Sequence, residues 1–96
     1  MNPKNTLQIV YIARIDQVLR FIDENLDSDL SLETLAQVAN YSAFHFHRIF
    51  KQIAGESLNT YILRKRIEKM ASILMYQPAI SITELSLQYG FNSNSS

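Results

Sequence analysis

Two stretches of this chain, fifty residues apart, carry one pattern. Ser31-Leu32-Glu33-Thr34-Leu35-Ala36 is answered by Ser81-Ile82-Thr83-Glu84-Leu85-Ser86, and Asn40-Tyr41 by Gly90-Phe91. Each copy offers a serine able to cap a helix, two aliphatic residues three apart and a small residue where a following helix can cross closely. A turn residue that tolerates positive φ and an aromatic behind the turn complete it. A short helix, a turn of three to four residues and a longer helix make the geometry of a helix-turn-helix. Two copies of such a unit in 96 residues constrain the fold more than either copy alone.

The rest of the sequence agrees with an all-α chain. Ile15, Val18, Leu19, Ile22 and Leu26 recur at helical period, with Asp16, Arg20, Asp23 and Glu24 on the wet side. Helices are expected near residues 8–26 (the first beginning upstream, after Pro3), 32–39, 43–54, 58–76 and 82–89. Gly55 ends the third, Pro78 blocks the fourth, and Ser81 with Glu84 forms a capping box for the fifth. The long fourth helix carries Leu58, Tyr61, Ile62, Ile67, Met70, Ala71 and Leu74, and the fifth turns Ile82, Leu85 and Tyr89 inward. Phe46, Ile49, Phe50, Ile53, Leu35 and Leu19 are the expected core, with Phe44 and Arg48 in solvent. No segment alternates at period two for long enough to make a strand.

Composition removes several functions. With only two glycines, Gly55 and Gly90, the chain has neither a dinucleotide loop nor a P-loop, and without cysteine it has no disulfide, thiolate zinc site or iron–sulfur cluster. The longest unbroken apolar run is Ile9–Ala13, far short of the roughly 20 residues that span a bilayer. No nucleophile–base pair, metal set or phosphate loop points to an enzyme, and no cofactor is implied. A soluble, cytoplasmic protein is expected.

In a helix-turn-helix the second helix enters the major groove, so the third helix needs two faces. Phe46, Ile49, Phe50 and Ile53 make one stripe. Phe44, His47, Arg48 and Lys51 make another, centred about 160° away at helical period. The second stripe joins an aromatic, an imidazole, a guanidinium and an ammonium, and no acid lies between Phe44 and Gly55. Arginine can bond guanine O6 and N7, histidine a base edge and phenylalanine a thymine methyl, whereas lysine suits phosphate. His45 and His47 point about 200° apart on a helix and cannot share one metal ion. The alternative reading of the face is a protein-interaction surface anchored by Phe44, with His47 and Arg48 beside it. Net charge is zero, but residues 41–80 hold six basic side chains against two acidic ones, and residues 1–40 hold three against six. A neutral protein thus has a locally basic middle.

Tyr41-Ser-Ala-Phe-His-Phe-His-Arg-Ile-Phe-Lys51, followed by Gly55, Tyr61, Arg66, Ala71 and Leu74, resembles the DNA-binding domain of the AraC/XylS transcriptional regulators. Ile82-Thr-Glu-Leu85 leading to Gly90-Phe91-Asn92-Ser93 does so as well. The resemblance implies a homeodomain-like pair of helix-turn-helix units, the first about 31–54 and the second from 81, joined by a linker helix about 58–76. It implies a transcriptional regulator bound to double-stranded DNA, with RNA polymerase as a further partner. Phe44, His47 and Arg48 would face bases, and Ser42, His45 and Lys51 would lie near the backbone. Ser93 matches Ser42 as an N-cap, so Ser93, Asn94 and Ser95 would open a second recognition helix. The apolar anchors that follow there in the family are not in this sequence, which implies an incomplete second unit, a partly uncovered apolar side on the fifth helix, and weak self-association. The Phe-His-Phe-His-Arg-Ile-Phe run resembles a subgroup with a GyrI-like ligand-binding domain on the C-terminal side, placing any effector domain after residue 96.

Overall fold

The computed structural model describes residues 3–91, with side chains from residue 6 onward, and those residues form five helices and no strand. These are α1 (Pro3–Glu24), α2 (Leu32–Ala39), α3 (Ala43–Ala54), α4 (Leu58–Tyr76) and α5 (Ile82–Gln88). The first helix opens at Pro3, ahead of its apolar stripe, because proline has no amide to leave unpaired in a first turn and its φ is already helical. Serine caps four of the five helices: Ser31, Ser42, Ser57 and Ser81 each accept the amide three residues on. The fifth helix stops at Gln88, one residue short of expectation, and Tyr89 already belongs to the turn.

Helices α1, α2 and α3 close on one core. Ile15, Val18 and Ile22 meet Leu35, Ala36 and Ala39 and the α3 residues Phe46, Ile49 and Phe50, all of them buried. The Phe46 and Phe50 rings lie 5.7 Å apart, and Tyr61 of α4 meets Phe50 edge-on at 5.8 Å. Removing one such side chain from water stabilises the fold by about 1.5–3 kcal/mol. Helix α4 leaves this core after Ile62; its remaining length offers Met70, Ile73 and Leu74, half-buried, to Leu85 and Tyr89 of the second unit.

Several apolar positions lie elsewhere than their spacing indicates. Ile53 is 36% exposed, because the last turn of α3 runs past the buried part of α1 and borders an open groove with Leu7, Tyr11 and Ile12. Leu19 is only half-buried, at the edge of the α1 stripe made by Ile15, Val18 and Ile22. Ile67 and Ala71 are exposed on the open side of α4. Ile82 is 65% exposed and does not turn inward, while Leu85 and Tyr89 are buried against α4 rather than uncovered. No helix among the described residues is long and apolar enough to cross a membrane.

Candidate nucleic-acid interface

The turn between α2 and α3 follows from three residues, Asn40, Tyr41 and Ser42. Asn40 takes the left-handed conformation at φ 63°, which a short polar side chain tolerates. Its amide bonds Gln37 O at 3.0 Å, and the Tyr41 amide returns to Ala36 O at 2.9 Å. These two bonds satisfy carbonyls that the end of α2 leaves free. Ser42 then caps α3, its Oγ accepting from His45 N at 3.2 Å. The second unit repeats the device: Gly90 sits at φ 84°, its amide bonds Leu87 O at 3.2 Å, and Phe91 N reaches Ser86 O at 2.8 Å.

On α3 the two stripes separate as their spacing requires. Phe46, Ile49 and Phe50 are buried; Phe44, His47, Arg48 and Lys51 all face solvent, Phe44 at 74%. The Arg48 guanidinium stands 6.0 Å from the Phe44 ring centre. Neither Arg48 nor Lys51 has an ionic partner among the described residues. An exposed face bearing uncommitted cations, an aromatic and an imidazole can meet both phosphates and base edges. Ser42 is occupied as the helix cap, and Ser93, Asn94 and Ser95 lie outside the described residues.

His45 is set apart from that face. Its ring lies 4.9 Å from Tyr41 and 6.0 Å from Tyr11, at the junction of α1, the turn and α3. Arg14 completes the cluster, with its guanidinium 5.0 Å from the Tyr41 ring centre and Nη1 donating to Ala39 O at 3.3 Å. Burial pushes the Tyr41 phenol pKa up, against the pull of Arg14. Arg14 and Tyr11 escaped the sequence reading because they support α3 from another helix.

The basic middle of the chain is less open than its composition suggests. Arg64 bridges Glu56 at 3.3 Å and Glu68 at 3.2 Å, and Lys65 lies 3.9 Å from Glu68. Arg66 is turned inward onto backbone carbonyls, leaving Arg48, Lys51 and Lys69 as the unpaired cations of this region among the described residues.

A helix-turn-helix followed by a second helix and turn with the same turn bonds invites comparison with known proteins. The helix-turn-helix domain family matches residues 35–96, and the Tn10 transposon TetD protein of Escherichia coli is 35% identical across 99% of this chain and 72% of its own length. The chain belongs to the AraC/XylS family of DNA-binding transcriptional regulators. Further family relatives include the transcriptional activator AarP of Providencia stuartii, 35% identical over 85% of this chain and 60% of its own. The right origin-binding protein of E. coli K12 is 35% identical over 82% of this chain and 27% of its own. The chain thus spans most of one relative and about a quarter of another.

Proposed function

We propose that α3 is a recognition helix, inserted in the major groove with Phe44, His47 and Arg48 toward base edges and Lys51 toward phosphate. The observation that carries this reading is the acid-free exposed face of α3, set opposite its buried stripe on a capped and rigid turn. Arg48 reads a guanine, Phe44 contacts a thymine methyl, and the Ser42 end of the helix lies against the backbone with His45 beside it. The second unit meets the next groove, with Ser93, Asn94 and Ser95 toward the DNA. AarP is a transcriptional activator by name, which supports RNA polymerase as a second partner. The protein works in the cytoplasm, and an effector domain following this segment would regulate it.

Selecting bound sequences from a random DNA pool tests the reading. The wild type should enrich one motif, and Arg48→Ala should lose about 1–3 kcal/mol of specific binding and relax preference at one base pair. Lys51→Ala should weaken specific and non-specific binding alike and flatten the salt dependence by about one unit. An unchanged motif from Arg48→Ala would remove this face from base readout. Binding indifferent to salt would favour a protein partner anchored on Phe44 instead.

A further inference from the structure

Arg66, on the middle turns of α4, has its guanidinium between the loop before α2 and the turn after α5. Its Nε donates to Leu26 O at 2.9 Å and its Nη2 to Ser28 O at 2.7 Å, both in the loop between α1 and α2. The remaining nitrogen, Nη1, lies 3.1 Å from where a Cβ on Gly90 would sit. One planar group, carried on the linker helix, is thus bonded to the loop before α2 and lies against the turn after α5. Gly90 therefore answers two demands, a φ of +84° and the absence of a side chain against Arg66. Gly55 answers only the first: its φ is +79°, and nothing lies within 4 Å of a Cβ there.

A linker helix that touches the first core only up to Ile62 has a long lever beyond it. Without a second fastening, small bending of α4 would swing α5 widely. We infer that Arg66 is a positioning residue, fixing the orientation of the second helix-turn-helix against the first and thereby the half-site spacing the protein accepts. Rigid forked donors suit this task, since two carbonyls held in one plane fix direction as well as distance, which the single ammonium of lysine does not. The consequence for DNA rests on the groove reading proposed above; the orientation itself does not.

The chain lacks cysteine, so two can be introduced and spin-labelled cleanly. Labels at Gln37→Cys and Gln88→Cys, both exposed, report the distance between α2 and α5. The parent should give one narrow distribution. Arg66→Met should broaden it with helix content retained, and Arg66→Lys should fall between. Gly90→Asn approaches the contact from the other side: asparagine tolerates the left-handed backbone, but its Cβ meets the guanidinium. It should shift the distance, while Gly55→Asn, which bears the backbone demand alone, should not. A distribution as narrow in Arg66→Met as in the parent, or equal effects of the two asparagine variants, would overturn the inference.

On DNA carrying the selected motif, inserting one base pair between half-sites should cost the wild type about tenfold in affinity, a loss of the size one mismatched base pair brings, and cost Arg66→Met markedly less. Equal spacing penalties in both would overturn the assignment of spacing to Arg66. A wild type indifferent to spacing would instead remove the two-groove reading, and the labelled distances would still decide what Arg66 does.

Discussion

The turn after α2 and the turn after α5 are nearly one object in two surroundings. Each closes on a residue of positive φ and returns an aromatic amide to the small residue five positions back. Around the first, α1 and α3 shut Leu35, Ala36 and Ala39 from water; around the second, Leu85 and Tyr89 are buried while Ile82 and Leu87 stand 65% and 59% exposed. Cap, spacing and turn residue therefore set the path of the backbone, and burial is conferred by whichever helix lies across it. Helix α1 does this for the first unit through Ile15, Val18 and Ile22, whereas α5 relies on α4.

The sharpest way to break this contrast is at the shared core. Phe50→Ala should cost about 3–5 kcal/mol in urea titrations, a large part of the roughly 5–15 kcal/mol a small domain possesses. Leu85→Ala should cost about 2–3 kcal/mol, confined to the second unit, with amide exchange accelerated in α5 and unchanged in α2 and α3. Equal acceleration in all three would make the two halves one cooperative body. At the turns, Asn40→Ala should lose about 1–2 kcal/mol in thermal melts from left-handed strain, and Gly90→Ala should lose more, since its methyl also meets Arg66.

The smallest effect concerns the seam between α1 and α4. Burial, reinforced by Asp23, pushes the Tyr61 phenol up to about 12 from 10.0, and its hydroxyl donates to Asp23 at 3.5 Å. The neutral phenol is favoured in the fold, so its contribution is complete below pH 10 and is lost as pH rises through the folded value. Tyr61→Phe should cost no more than about 1 kcal/mol near neutrality and should flatten the fall in stability above pH 10.

Helix positions, the serine caps at Ser31, Ser42 and Ser81 and the two faces of α3 were legible in the sequence, because each depends on neighbours within a turn or two. The exposure of Ile53 and Ile82 was not. Periodicity tells which face a residue occupies, and only the partner's length tells whether that face is covered. The candidate site was half legible. Phe44, His47, Arg48 and Lys51 announce themselves by residue type, but Arg66, though part of the family pattern, does not show in the sequence what its guanidinium holds. Arg14 is hidden for a related reason: both guanidiniums bind main-chain oxygens, which every residue type supplies alike.

That choice of acceptor has an evolutionary side. A grip on carbonyls at residues 26 and 28 is indifferent to which side chains stand there, so Asp27 and Ser28 are free to drift across generations. Their number is not. One residue inserted or deleted before α2 would carry both oxygens out of reach, so descendants of this chain should vary in the letters of that loop and hold its length.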